Sequence, residues 1–189
     1  MRLSWPDHAL LATLPAPHRC LSSAVLGGGL TTASHWLNLQ VAHDYARTDP
    51  STHLAEIARA NGLDAGDVVG MLTAADLRAG VRRDHGPVSA VATVGIGQPL
   101  AAAGRRPRPL PRIGTINVFV VVPHALTDAA LVAAVQTATE AKAQALAGPR
   151  SRRTPARTSA AVSMPTTSPG SRPFAAATWV RCTSGSVRA

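Results

Sequence analysis

The first hundred residues break into short apolar runs separated by turn-forming clusters. Cys20 to Leu26 is an apolar run ending in Gly27-Gly28-Gly29. It predicts a strand entering a loop whose backbone can approach another group closely. Trp36 to Val41 alternates apolar and polar positions and predicts a second strand. Asp49-Pro50 then opens a helix, with Asp49 as N-cap and Pro50 in the first helical position. Leu54, Ile57 and Ala58 form its apolar stripe and Asn61-Gly62 closes it. Val68 to Leu72 predicts a third strand. Asp84-His85-Gly86, between Gly80–Arg83 and Val88–Val94, predicts a hairpin turn.

Residues 98–113 are a Pro/Arg-rich linker or surface loop. Thr115–Val122 is the most β-prone segment of the chain and predicts a central strand. Thr127 is a good N-cap and Asp128 suits a first helical turn, so a long Ala-rich helix is expected over Asp128–Ala147, stopped by Gly148. On a wheel at about 100° per residue, with Leu131 at zero, Lys142 falls at about 20° and Val135 at about 40°. Lys142 thus lies inside the apolar stripe, and Glu140, at about 180°, lies opposite it. Beyond 148 neither period persists and proline recurs at 149, 155, 165, 169 and 173, which predicts an unstructured tail. The pattern as a whole predicts an α+β fold, a mixed β-sheet with flanking helices, followed by a disordered C-terminal tail.

Composition sharpens that boundary. The 189 residues carry a formal charge of +9, which on its face suggests a nucleic-acid binder. Residues 1–147 hold twelve Lys+Arg against ten acids, net +2; residues 148–189 hold seven Arg and no acid, net +7. The basicity belongs to the tail, and a basic-tailed nucleic-acid module is the alternative it favours. The apolar fraction is 46%, but 36 of those residues are Ala, so Leu, Val and Ile must build the core. No stretch of about 18 apolar residues is present, and the N-terminus makes a poor signal peptide, so a cytoplasmic protein without a membrane partner is expected. Two cysteines, Cys20 and Cys182, are too few for a disulfide scaffold, and no Cys-x-x-Cys pair offers a zinc finger. There is no P-loop, and Gly95-Ile96-Gly97 lacks the third glycine of a dinucleotide fingerprint. His53-x-x-Glu56 has helical spacing for two metal ligands, but without a further carboxylate–His partner the pair reads as a polar helix face. Arg105-Arg106-Pro107-Arg108 has no interleaved aromatics on which bases would stack.

A series of local motifs then occurs in order: Leu21-Ser22-Ser23-Ala24-Val25-Leu26-Gly27-Gly28-Gly29-Leu30, Asn38-Leu39-Gln40-Val41 with Asp44-Tyr45, Leu72-Thr73-Ala74-Ala75-Asp76, Ala92-Thr93-Val94-Gly95-Ile96-Gly97, Gly114-Thr115-Ile116-Asn117 with Leu126-Thr127, and Thr137-Ala138-Thr139-Glu140-Ala141-Lys142-Ala143. The series resembles the adenosylcobinamide amidohydrolase family of cobalamin salvage over about residues 20–147. The resemblance implies hydrolysis of the amide joining a corrin propionyl side chain to aminopropanol, giving adenosylcobyric acid and (R)-1-amino-2-propanol. It implies a corrinoid substrate that brings its own cobalt, with no cofactor or metal held by the protein and no nucleic-acid partner. It stops near Ala147, where the family continues with a Gly/Thr-rich segment, a strand and a closing helix. Residues 148–189 have the composition that GC-rich DNA yields out of frame. The expected organisation is an amidohydrolase-like domain at 1–147, truncated relative to the family and for that reason open to being inactive, and a foreign tail.

Amide hydrolysis needs a nucleophile, a group that stabilises the oxyanion and a proton for the leaving amine. Ser22 and Ser23, just before the glycines, are candidate nucleophiles, and the N–H groups of Gly28 and Gly29 are candidate donors; a tight turn is the alternative. Asp76 is a candidate base or ligand for polar substrate groups, or a first-turn Asp offsetting a helix dipole. Lys142 and Glu140 are candidate catalytic groups, the lysine either polarising a carbonyl or snorkelling near a helix C-terminus. Asn38, Thr73, Thr93, Gly95, Gly97, Thr115 and Asn117 are candidate substrate-binding positions. Asn117, between Ile116 and Val118, needs partners if it is buried. His35 and His43 flank the second strand as surface histidines or cobalt contacts, and Cys20 reads as core.

Overall fold

The computed structural model describes residues 1–96 and 114–147, and the backbone of residues 176–183. In chain order the elements are β1 (Arg2–Ser4), β2 (Ala9–Ser22), β3 (Gly29–Gln40), α1 (Pro50–Ala60), β4 (Val68–Thr73), β5 (Val81–His85), β6 (Val88–Gly95), β7 (Thr115–Val122), α2 (Asp128–Leu146) and β8 (Ala176–Thr183). The strands lie in the order β4-β3-β2-β8-β7-β6-β5, with β1 paired to β2. Strand β8 runs parallel to β2 and antiparallel to β7, so it joins a four-strand half to a three-strand half. This is the expected α+β fold, a mixed sheet with two helices. Within the expected tail, Ala176–Thr183 is a strand. Thr178, Trp179, Val180 and Thr183 are residue types that favour extended backbone, although Pro- and Arg-rich surroundings mask them. The linker at 98–113, the helix stop at Gly148 and the rest of the tail lie outside the described residues.

Strand β2 begins eleven residues before the expected Cys20. Pro15 and Pro17 hide it, since they break the alternation and lack ladder donors. The β2–β3 register shifts between Thr13 and His18, where the prolines sit in a bulge and the buried His18 ring bonds the Ala16 carbonyl. Helix α1 starts at Pro50 as the sequence indicates. However, Asp49 makes no side-chain cap; Arg47 grips its carboxylate through Nε and Nη2 at 2.9 and 2.7 Å. The turn of the β5–β6 hairpin lies one step later than expected. Strand β5 extends through His85, His85 faces Val88, and Gly86-Pro87 make the turn, with Gly86 at φ +54°.

The hairpin carries a pH-dependent contact. The Ser89 hydroxyl and the Arg82 guanidinium donate to Asp84 and hold its carboxyl below the ordinary carboxylate range. A depressed folded pKa stabilises above the unfolded value, and the stabilisation is lost as pH falls through the folded one. In thermal melts, Asp84→Asn is expected to be less stable than the parent near neutrality. The difference should close as pH falls below about 4, and it should be small because the group is exposed.

Alternation along the strands creates two apolar clusters. Leu10, Ala12, Cys20, Trp36, Val69, Met71, Val91 and Phe119 face inward between the two halves of the sheet. Trp36 of β3 and Phe119 of β7 lie 5.1 Å apart between ring centroids, although these strands are not sheet neighbours. The sheet therefore coils so that its halves face each other. The other face of β3 and β4 packs Leu37, Leu39, Val68 and Leu72 against Leu54 and Ala58 of α1. Helix α2 lies on β2 and β8. Its Asp128 pairs with Arg19, the neighbour of inward-facing Cys20, so α2 covers the outward side. Among the described residues, no helix is long and apolar enough to cross a membrane.

Candidate active site

Polar side chains interrupt the inward face where the ends of β3 and β4 meet β6 and β7. Asn38, Thr93 and Asn117 are each 0% exposed, and Thr73 is 1% exposed. Asn38 follows Trp36 by two residues, Thr73 follows Met71 and Thr93 follows Val91, so strand periodicity aims all three inward. Asn117 Nδ2 donates to the Leu72 carbonyl at 3.0 Å and to Asn38 Oδ1 at 2.8 Å. Asn38 Nδ2 donates to Thr93 Oγ1 at 2.8 Å. The direction of this chain is fixed, because a backbone carbonyl can only accept. Leu72 sets the orientation of Asn117, which sets Asn38, which donates to Thr93. Asn117 Oδ1 is left buried with no partner among the described residues.

A short turn closes this end of the interior. Thr73 Oγ1 accepts from Ala75 N at 3.0 Å and Gln40 Oε1 from Leu77 N at 3.3 Å. Asp76 is exposed and caps the 3-10 turn Leu77–Ala79, its Oδ1 accepting from Arg78 N at 2.9 Å. A Cβ on Gly95 would stand 2.9 Å from Ala75 Cβ, so Ala75 occupies the space glycine leaves. Gly95 pairs with half-buried Thr115, one step beyond Thr93 and Asn117. Asn38, Thr73, Thr93, Gly95, Thr115 and Asn117 thus form one group, with Asp76 at its rim. Gly97 lies outside the described residues. Gln40 belongs to the group and was missed. Its place two residues after Asn38 in the alternating run is the signal that would have found it.

The other candidates stand elsewhere. Ser22 is buried and faces inward like Cys20, and its Oγ accepts from Ala24 N at 3.0 Å. Ser23 is exposed. Gly28 and Gly29 lie at the far end of β3 from Asn38. A Cβ on Gly28 would stand 2.2 Å from the Ala24 carbonyl, and Gly29 has φ +82°. The loop between them and Ser22 folds onto β4, where Gly70 and Leu26 exchange backbone bonds at 2.9 and 3.2 Å. Lys142 occupies the half-buried stripe of α2 with Ala134, Val135 and Ala138, and its Nζ is buried without a partner among the described residues. Glu140 is exposed on the opposite side of the helix. The sheet therefore separates Lys142 from the polar group of the inward face.

His53 and His35 find local partners. His53 Nδ1 lies 3.0 Å from Tyr45 Oη with the rings stacked, and burial raises the Tyr45 phenol above its ordinary value. Glu56 takes Arg47 at 3.3 Å. His35 lies 3.8 Å from Asp67, and His43 is exposed. No group of three or more His, Cys, Asp or Glu that could hold a metal occurs among the described residues.

A family model described as CbiZ, adenosylcobinamide amidohydrolase, matches residues 2–163. That span includes β1 to β7, both helices and every residue of the polar group. No curated protein and no solved structure matches the chain.

Proposed function

The chain belongs to the adenosylcobinamide amidohydrolase family, and on that basis we propose that it hydrolyses the aminopropanol amide of adenosylcobinamide. The products are adenosylcobyric acid and (R)-1-amino-2-propanol, as in salvage of scavenged corrinoids in the cytoplasm. The carrying observation is the family match across residues 2–163. The buried carboxamide and hydroxyl group at the strand ends supports it, because a corrin rim fringed with amides is recognised by the same neutral donors and acceptors. Cobalt arrives with the substrate, and the route needs no metal or cofactor held by the protein and no nucleic-acid or membrane partner.

In this reading Asp76 is the general base. Its exposed carboxylate takes a proton from water as the oxygen attacks the amide carbon, and returns it to the departing nitrogen, so that amine and acid leave together. A serine route through Ser22 or Ser23 would need a base beside the hydroxyl, and the recorded partner of Ser22 Oγ is a backbone N–H. Lys142 and Glu140, on the other side of the sheet, take no part in this route. Gly28 and Gly29 shape the far loop.

The test is incubation of the full chain with adenosylcobinamide and chromatography of the products. Equimolar aminopropanol and adenosylcobyric acid are expected. A folded chain that releases neither overturns the proposal.

A further inference from the structure

The directed chain Leu72–Asn117–Asn38–Thr93 ends with two unused valences on neighbouring side chains. Asn117 has spent both recorded Nδ2 contacts as donations and keeps a buried, unpartnered acceptor, Oδ1. Thr93 Oγ1 is occupied as an acceptor, and its own proton has no recorded acceptor among the described residues. Thr93 and Asn117 are direct register partners in the β6–β7 ladder, so their side chains stand side by side on the inward face. One empty acceptor beside one uncommitted donor is the complement of a group that offers an N–H and a C=O on the same edge. A primary carboxamide does this. The trans secondary amide that carries aminopropanol does not, because its N–H and C=O point to opposite edges.

We propose that Thr93 and Asn117 form a subsite for a peripheral primary carboxamide of the substrate, distinct from the amide that is cleaved. The carboxamide N–H donates to Asn117 Oδ1 and its oxygen accepts from the Thr93 hydroxyl. Both side chains are fully buried, and Ala75 rests on Gly95, two residues beyond Thr93, so entry requires the turn after β4 to lift away from β6. Opening breaks the bond from Leu77 N to Gln40 Oε1 and withdraws the Leu77 side chain from the core cluster. This assignment rests on the corrinoid reading and names the group by which that substrate is held.

The test is equilibrium binding of two probes to the full chain: cobinamide, and cobinamide whose peripheral carboxamides are replaced by methyl esters. The ester is neutral and keeps the carbonyl but cannot donate to Asn117. The parent protein is expected to bind the ester at least about tenfold more weakly, since a site built around a donor leaves its own acceptor unpaired when the donor is missing. Thr93→Val removes the donor to the carbonyl that both probes keep, so it should weaken both by about fivefold or more and leave their ratio nearly unchanged, and Thr93→Ser, which keeps the hydroxyl, should restore both affinities. Equal binding of amide and ester by the parent overturns the subsite while leaving the corrinoid reading intact. The parent ratio decides this without any variant. Cobinamide affinity unchanged in folded Thr93→Val likewise overturns it. If cobinamide itself does not bind, the corrinoid reading fails and the subsite falls with it.

Discussion

Asp76→Asn is expected to reduce kcat for adenosylcobinamide hydrolysis by about a hundredfold or more, with the thermal midpoint nearly unchanged. The separation of the two effects follows from what each carboxylate oxygen does. Oδ1 accepts from Arg78 N at 2.9 Å and caps the turn Leu77–Ala79. An asparagine oxygen caps about as well, so the turn and the seat of Ala75 on Gly95 should persist. The amide cannot take a proton from water, so a base is lost without a structural change. Asp76→Ala removes base and cap together and should add a stability loss of about 1 kcal/mol. Retention of kcat within about threefold in Asp76→Asn would remove Asp76 from the chemistry and return the nucleophile question to Ser22 and Ser23. The two readings also differ in place, since Asp76 borders the buried polar group and the glycine loop after Ser23 lies at the other end of β3.

The elements that were legible in the sequence were those whose local pattern carries one message. Val68–Leu72 is an unbroken apolar run, and the strand it forms, Val68–Thr73, is buried on both faces. Asp49-Pro50 and Asn61-Gly62 bracket α1 at the observed ends. Lys142 was placed on the sheet-facing stripe by the 100° wheel alone, and its amine is buried there. Asn38, Thr93 and Asn117 stood out as polar residues in apolar strands, which made them candidates either for a solvated face or for a buried group. The burial decides for the second. Their mutual contact was not legible. Asn117 and Asn38 are 79 positions apart and lie on strands that are not neighbours, and only the coil of the whole sheet brings them together. Strand β2 was hidden for the opposite reason. Its prolines speak locally against a strand, and the bulge that accommodates them depends on pairing with β3.

Asn117→Ala is expected to destabilise the fold by about 2–4 kcal/mol, through two orphaned acceptors and a small cavity. Asn38 Oδ1 and the Leu72 carbonyl both lose their donor in a place water does not reach. Replacing the partner as well should recover part of the loss. In Asn38→Val/Asn117→Ala the combined side-chain volume is nearly kept, the orphaned amide oxygen of residue 38 is gone, and Thr93 loses only a donor to an oxygen that can do without one. Asn38→Val alone strands one Asn117 proton and should itself cost about 1–3 kcal/mol. The double variant is therefore expected to be more stable than the sum of the singles predicts by about 1 kcal/mol or more, read from urea unfolding of all four proteins. Such coupling is the signature of a network whose members are buried because of each other. Losses that add within about 0.5 kcal/mol would mean that each amide is satisfied independently, and the directed chain from Leu72 to Thr93 would then not hold the two halves of the sheet together.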